Sequence, residues 1–167
     1  MNYLKVGKTI IRETLHDYAK SVSNWSVENS TFYSTQVPYS LFKDCPVIDR
    51  YIELCGTIGK PRNGWIFYMP ENSFYRPHVD SKRWCTLNIL LNDNCDSTTF
   101  FETNAINEWN TYIDVLNYEK DYAYLLDTQK THSVLNGNQK RYVFSLGIPD
   151  IPFYLMEYKY KKNKKNT

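Results

Sequence analysis

Short runs of alternating apolar and polar residues begin near Gly64 and continue almost to the end of the chain. They occupy residues 65–69, 74–79, 84–91, 97–101, 110–115, 121–126, 131–135 and 140–147. Alternation with period two predicts β-strands that bury one face. Turn-forming segments such as Asn136-Gly137-Asn138 separate many of the runs. Eight short strands at near-regular spacing predict a barrel or a sandwich of two sheets.

The first 56 residues follow a helical period in two places. Apolar residues three and four positions apart predict an amphipathic helix over residues 8–22. A second apolar stripe over residues 47–55 starts after Asp44-Cys45-Pro46, a typical N-terminal cap region, and stops at Gly56. The Ser-, Thr- and Asn-rich segment 23–37 is interpreted as a loop or an irregular strand. We therefore expect helical support over residues 1–56 for a β-rich core over residues 64–148.

The end of the chain combines a ninth apolar run with a basic segment. Residues 152–160 are interpreted as a terminal strand. Residues 159–167 contain five lysines and no acid, and are interpreted as a disordered tail. Without those five lysines, 15 of the 20 basic residues remain against 18 acidic ones, so the body carries −3 although the whole chain carries +2. An acidic body disfavours nucleic acid as a partner.

The length and composition favour one cytoplasmic domain, over residues 1–158. The chain has 167 residues, of which 42% are apolar and 16% aromatic, too many for a disordered protein. No run approaches the ~18 apolar residues of a membrane helix, and the first residues lack the apolar segment of a signal peptide. The cysteines show no C-x-x-C pair, which predicts reduced thiols in the core; they are Cys45, Cys55, Cys85 and Cys95.

Two of the three histidines fall on predicted strands together with a carboxylate. His78-Val79-Asp80 places an imidazole and a carboxylate at i and i+2, on the same face of an extended segment. His132 follows 54 residues later on another predicted strand, whereas His16 falls on the first helix as a surface or boundary residue. Two imidazoles and one carboxylate on one face form the facial triad of non-haem Fe(II) oxygenases, which leaves open positions on the metal.

An arginine extends this set. Arg141 follows His132 by nine positions, on the strand after the predicted turn. Neighbouring strand residues face opposite sides, so one of Lys140 and Arg141 points inward. A 2-oxo dicarboxylate bound to the metal through its keto-acid end would bury its far carboxylate, which requires a paired cation. Arginine offers a two-pronged fork for that carboxylate, which lysine does not.

At these spacings His78, Asp80, His132 and Arg141 resemble the 2-oxoglutarate- and Fe(II)-dependent oxygenases, in particular their prolyl-hydroxylase-like branch, over residues 64–148. The resemblance implies a mainly β fold, a double-stranded β-helix (jelly-roll, cupin-like), with N-terminal helices packed against one sheet. It implies Fe(II) held by the two histidines and Asp80, with 2-oxoglutarate and O2 as cosubstrates. Arg141 would pair with the distal carboxylate of 2-oxoglutarate.

The resemblance also suggests further contacts around the metal. Tyr68, ten residues before His78, matches a tyrosine that hydrogen-bonds the cosubstrate in this branch. A second such tyrosine aligns with Leu90, which leaves Asn88 or Thr86 as inward polar contacts. The family's Gly-Gly pair is replaced by Thr98-Thr99, and its Arg-x-Ser motif has no match. The segments before and after the first histidine suggest the substrate-contacting residues Tyr75, Arg76, Arg83 and Trp84.

The implied function is hydroxylation of a C–H bond, coupled to decarboxylation of 2-oxoglutarate to succinate. The branch suggests a prolyl or other amino-acid side chain as substrate, in a small molecule or in a peptide. A nucleobase demethylase is an alternative on the same metal, but those relatives carry a second arginine soon after the first, and none follows Arg141 here. A non-catalytic jelly-roll binding module is the other alternative. Asp80 disfavours a halogenase, since those relatives have a small residue there.

Overall fold

The computed structural model describes residues 1–29, 31–56, 63–81, 83–93, 97–103, 110–148 and 151–164. Helices and strands alternate at the start of the chain, and strands alone follow until the C-terminal helix. The elements are β1 (Tyr3–Lys8), α1 (Arg12–Ser21), β2 (Ser26–Asn29), β3 (Phe32–Val37), a short 3-10 helix (Tyr39–Leu41), α2 (Pro46–Cys55), β4 (Gly64–Met69), β5 (Phe74–His78), β6 (Cys85–Leu90), β7 (Ser97–Thr103), β8 (Asn110–Asn117), β9 (Tyr122–Asp127), β10 (Thr131–Leu135), β11 (Arg141–Ile148) and α3 (Phe153–Lys164).

The strands form two antiparallel sheets. The larger has seven strands in the order β1-β9-β6-β11-β4-β3-β2, and the smaller has four in the order β5-β10-β7-β8. Strands adjacent in a sheet come from distant parts of the chain, as where β6 lies between β9 and β11. The eight strands predicted after Gly64 are all present, and the predicted mainly β, double-stranded β-helix is confirmed.

Side-chain alternation divides the interior into two layers. On β6, Leu87 and Ile89 belong to the layer between the large sheet and the helices, which also contains Leu15 of α1 and Met156 of α3. Leu90 belongs instead to the layer between the two sheets, with residues of β7, β8, β9 and β11. Successive strand residues point to opposite faces, so this parity decides which side chains can reach the space between the sheets.

The predicted helical N-terminus is correct for α2 and only partly correct before it. Pro46 opens α2, and Gly56 ends it with a positive φ of 63°, a conformation that favours glycine. The first helix begins at Arg12 instead of residue 8, because Tyr3–Lys8 pairs with β9 as an edge strand. The strands β2 (Ser26–Asn29) and β3 (Phe32–Val37) pair antiparallel, and β3 joins the large sheet beside β4.

The C-terminal strand and disordered tail predicted from the sequence are wrong as far as residue 164. Phe153–Lys164 forms the helix α3. Phe153, Met156 and Tyr160 are each at most 4% exposed, and they follow the spacing of three and four residues that places side chains on one helix face. The same run also alternates, so its local pattern allowed a strand. Residues 165–167 of the predicted tail lie outside the described residues.

The described cysteines lie in the core, and the described helices do not have the character of membrane spans. Cys45, Cys55 and Cys85 are free and buried, as predicted for core thiols, whereas Cys95 lies outside the described residues. Burial raises the pKa of the Cys55 thiol to about 12. Among the helices that the structure describes, none combines the length and the apolar character needed to cross a bilayer.

Candidate metal centre

The two strand histidines meet because their strands are neighbours. β5 and β10 pair antiparallel, and in this register His78 is the direct partner of His132. Side chains at directly paired positions point to the same face of a sheet. The two imidazole ring centroids lie 4.3 Å apart, on the face that points toward the large sheet.

Asp80 completes the set from just beyond the end of β5. Its backbone N–H donates to the carbonyl of Thr128 at 3.0 Å, and its own carbonyl accepts from Gln129 Nε2 at 2.9 Å. These bonds tie the segment after His78 to the turn between β9 and β10. The Asp80 Oδ1 atom lies 3.5 Å from His78 Nε2, and the possible ligand atoms of the three residues all lie within 4.8 Å of one another.

Backbone carbonyls set the tautomer of both imidazoles. His78 Nδ1 lies 2.9 Å from the carbonyl of Arg76, and His132 Nδ1 lies 2.9 Å from the carbonyl of Lys130. A carbonyl only accepts, so Nδ1 carries the hydrogen in each ring and Nε2 of the neutral ring has a free lone pair. A hydrogen bond from the other ring nitrogen is the usual support of a metal-binding histidine.

His132 and Asp80 are in their metal-binding protonation states, for two different reasons. His132 is 7% exposed, and desolvation lowers its pKa to about 4, so the ring is neutral at pH 7. Burial acts to raise the pKa of the Asp80 carboxyl, but His78 and Arg83 outweigh it and lower that pKa below its usual range. A neutral imidazole and an ionised carboxylate are the forms that bind metal.

The donor set fits Fe(II). Two imidazole nitrogens and one carboxylate oxygen lie within 4.8 Å of one another, close enough to bind one ion together. This is the donor set of the facial triad, in which three sites of an octahedral ion stay open for other ligands. His78, Asp80 and His132 would hold the ion, as the sequence predicts.

The space next to this centre is a cavity between the two sheets, and Arg141 lies on its wall. Arg141 is 5% exposed, whereas the neighbouring Lys140 is exposed, so the predicted division of inward and outward side chains is confirmed. Asn88 and Thr86 line the same cavity from β6. The Asn88 Oδ1 and Thr86 Oγ1 atoms are buried, and neither makes a hydrogen bond to the described part of the chain. They are available to a bound molecule.

Tyr68 lies on the other side of the large sheet from the cavity. Its ring packs 5.4 Å from that of Trp25 and 5.2 Å from that of Tyr142, among residues that contact the helices. The preceding residue, Phe67, lines the cavity instead. The role predicted for Tyr68 therefore does not agree with the structure. Pairing explains why: Tyr68 is the direct partner of Tyr142, and Tyr142 must face away from the cavity if Arg141 faces into it.

The four substrate-contact predictions divide evenly. Tyr75 lines the cavity with its ring centroid 4.2 Å from that of His78, and Arg83 also lines it. Arg76 instead lines a separate surface cleft beside β2. Trp84 is 45% exposed and lies outside the described cavities. Two of the four predicted substrate contacts therefore line the cavity.

Two rings of an aromatic wall at the cavity mouth, those of Phe32 and Phe67, were missed by sequence reasoning. The ring of Phe32 lies between those of Phe67, at 5.0 Å, and Tyr75, at 4.6 Å, nearly parallel to both. These three residues also border an outer cavity of about 500 Å³, together with Trp65 and Arg83. Residues 32–37 do not alternate between apolar and polar, and the position of Phe32 depends on the pairing of β3 with β4.

Comparisons with known proteins agree with this architecture. No family model and no curated protein matches the sequence. The chain is similar in structure to a prolyl hydroxylase from Trichoplax adhaerens solved with a peptide fragment of the hypoxia inducible factor oxygen degradation domain. That comparison has a TM-score of 0.60 and 14% identity, and covers 96% of this chain and 86% of that one.

Two further solved structures give the same result. HygX from Streptomyces hygroscopicus, solved with nickel and 2-oxoglutarate, has a TM-score of 0.60 at 9% identity and covers 90% of this chain and 84% of that one. The collagen prolyl hydroxylase of Paramecium Bursaria Chlorella virus-1, solved with 2-oxoglutarate, has a TM-score of 0.55 at 12% identity, with 90% and 97% covered. At such identities the likeness establishes a shared fold.

Proposed function

We propose that this chain is a single oxygenase domain that uses Fe(II) and 2-oxoglutarate to hydroxylate a C–H bond. The observation that carries the proposal is the convergence of His78, Asp80 and His132 on a cavity that also contains the buried Arg141. Metal ligands alone occur in many jelly-roll proteins. A buried guanidinium in the same cavity adds the group that a dicarboxylate cosubstrate requires.

The protein's part in this reaction is to bind, orient and exclude water. Fe(II) with 2-oxoglutarate supplies the oxidative chemistry, in which 2-oxoglutarate, O2 and R–H become succinate, CO2 and R–OH. Arg141 would pair with the distal carboxylate, and Asn88 and Thr86 offer buried oxygens for further hydrogen bonds. Phe32 and Phe67 cover the approach with apolar rings and limit the access of water.

For the substrate, we propose a prolyl or other amino-acid side chain, free or within a peptide. The parallel rings of Phe32, Phe67 and Tyr75 form an apolar wall that suits an aliphatic ring or chain. The outer cavity of about 500 Å³ has the size of a small-molecule or short-peptide site. The structural likeness to a prolyl hydroxylase solved with a peptide supports this class.

The native protein provides the first test. Anaerobic addition of Fe(II) and then 2-oxoglutarate is expected to produce a weak visible charge-transfer band, and admission of O2 is expected to remove the band and release succinate. A panel of amino acids and peptides then identifies the substrate as the compound that accelerates succinate release and becomes hydroxylated. Absence of both the band and succinate from protein that has bound Fe(II) would overturn the proposal.

Replacing Arg141 with leucine is expected to raise the 2-oxoglutarate concentration needed for half of the band by more than about 100-fold. Leaving a buried carboxylate unpaired costs about 3–5 kcal/mol, which corresponds to a factor of this size. The adjacent exposed residue supplies the control, because Lys140→Leu removes the same charge outside the cavity. Titration of the visible band measures both variants, and an equal shift in the two would contradict the role of Arg141.

A further inference from the structure

Arg83 reaches into the cavity and contacts the carboxylate of the metal centre. Its Nη2 atom lies 2.8 Å from Asp80 Oδ2, and its Nη1 donates to the hydroxyl of Ser145 on β11 at 3.2 Å. The other carboxylate oxygen, Oδ1, is the one that lies 3.5 Å from His78 Nε2. The guanidinium therefore contacts Oδ2 of Asp80, and Oδ1 faces the imidazole of His78.

Other parts of Arg83 also make contacts. Its backbone carbonyl accepts from Thr128 Oγ1 at 2.6 Å and from Gln129 Nε2 at 3.1 Å. Its guanidinium carbon lies 5.1 Å from the centroid of the Phe67 ring, in range of a cation–π contact. Arg83 therefore contacts three parts of the site. Its backbone carbonyl binds the turn after β9, and its guanidinium contacts both Asp80 and Ser145 of β11.

Gly147 makes room for the stem of this arginine. A Cβ atom at position 147 would lie 2.5 Å from Arg83 Cδ and 3.0 Å from Arg83 Cγ, closer than side-chain carbons approach one another. Ser145 and Gly147 are alternate residues of β11, so they present the hydroxyl and the open space on the same face. One strand therefore supplies both the partner and the space that Arg83 needs.

A carboxylate ligand needs such a support because its side chain rotates easily. Charge-assisted hydrogen bonds are about twice as strong as neutral ones, and the fork of arginine can bind two partners at fixed positions. Ligating carboxylates are commonly hydrogen-bonded by a neighbouring group, and loss of that group costs about 10- to 100-fold in metal affinity. Arg83 supports Asp80 through an ion pair, with Nη2 2.8 Å from Oδ2.

We propose that Arg83 is a positioning residue of the metal centre, which Ser145 and Gly147 on β11 hold against Asp80 so that a single carboxylate oxygen is presented to the metal. The inference rests on the proposed function for the identity of the centre. It assigns to Arg83 a role different from contact with the substrate, and it explains the small residue at position 147.

The test measures metal affinity instead of turnover. Mn(II) is titrated into the protein, and the free ion is followed by electron paramagnetic resonance. Arg83→Gln is expected to weaken Mn(II) binding by about 10-fold or more. Gly147→Ala, which keeps the arginine but displaces its stem, is expected to weaken binding in the same direction. Arg76→Gln is the matched control, since it removes an equal charge from a residue outside the cavity.

Each outcome separates this inference from the proposed function. If Arg83→Gln binds Mn(II) with an affinity within threefold of the native protein, the role of Arg83 is overturned, whatever the result for Gly147→Ala. An equal loss of Mn(II) affinity in Arg76→Gln would also overturn it. Loss in Arg83→Gln alone, in a protein that gives no 2-oxoglutarate band, would keep the role of Arg83 and reject the oxygenase. A native protein that binds no Mn(II) would reject both. The Co(II) absorption spectrum adds a second readout, because a changed carboxylate position alters it.

Discussion

Replacing His132 with alanine is expected to abolish stable Fe(II) binding, and with it the visible band and the release of succinate. The variant keeps only two of the three donors, and the lost donor is the buried one; no other His, Cys, Asp or Glu of the described residues joins the set. Water would replace the imidazole in a site built for a fixed donor. Metal content after anaerobic reconstitution and gel filtration measures the effect. We expect it to exceed the ~10- to 100-fold cost of losing an outer-shell partner, because a ligand itself is lost.

His16 is the matched control for this experiment. It lies on α1, and its ring packs 5.7 Å from that of Tyr142, on the side of the large sheet away from the cavity. His16→Ala therefore makes the same chemical change outside the metal centre and is expected to retain Fe(II) and the band. Full metal content in His132→Ala would reject the triad as the metal site. Loss in both variants, with lowered thermal unfolding temperatures, would indicate a damaged fold.

The strands after Gly64 could be predicted because each one carries its own evidence. On β6, for example, the apolar Leu87 and Ile89 flank the polar Asn88, so the alternation of residue types reports the strand directly. Turn residues then mark the ends. The strands of the first 37 residues lacked this evidence. Tyr3–Lys8 becomes a strand by pairing with β9, more than one hundred residues away, and no local pattern records such a pairing.

The placement of the candidate metal ligands beside one another was predictable for a related reason. The spacing of His78 and Asp80 is a local property of an extended chain, and the division of Lys140 and Arg141 follows from strand alternation. The cosubstrate contact predicted for Tyr68 was wrong because the face on which a strand residue lies depends on the strand register. The inward position of Arg141 would have corrected this prediction only if the pairing of β4 with β11 had also been known.

Arg83 shows a different limit of sequence reasoning. The sequence placed it in a loop that lines the cavity mouth, and the structure places its guanidinium against Asp80. The path of that loop is set by hydrogen bonds from Thr128 and Gln129, residues more than forty positions away. In the sequence, Ser145 and Gly147 likewise look like ordinary strand residues. Their role is visible only once Arg83 is seen to pack beside them.

The largest error, at the C-terminus, leads to a prediction about stability. Deleting residues 153–167 is expected to leave the protein insoluble or unfolded, whereas deleting residues 165–167 should have no effect. Phe153, Met156 and Tyr160 are buried in the layer between the large sheet and the helices. Burial of three such side chains contributes about 1.5–3 kcal/mol each, a sum comparable with the net stability of a typical domain. Lys159 Nζ also donates to the carbonyl of Leu54 at the end of α2, at 2.6 Å.

A pair of adjacent substitutions tests the same helix without removing it. Met156 is fully buried, and Met156→Ala is expected to lower the free energy of unfolding by about 2–5 kcal/mol. Leu155 is 37% exposed, so Leu155→Ala should change it by less than about 1 kcal/mol. Urea unfolding followed by tryptophan fluorescence measures both. A strand at this position would place Phe153 and Leu155 on one face and Met156 on the other. Equal losses of unfolding free energy on substitution of residues 153 and 155, with none at 156, would therefore indicate a strand. Losses at 153, 156 and 160 indicate the helix.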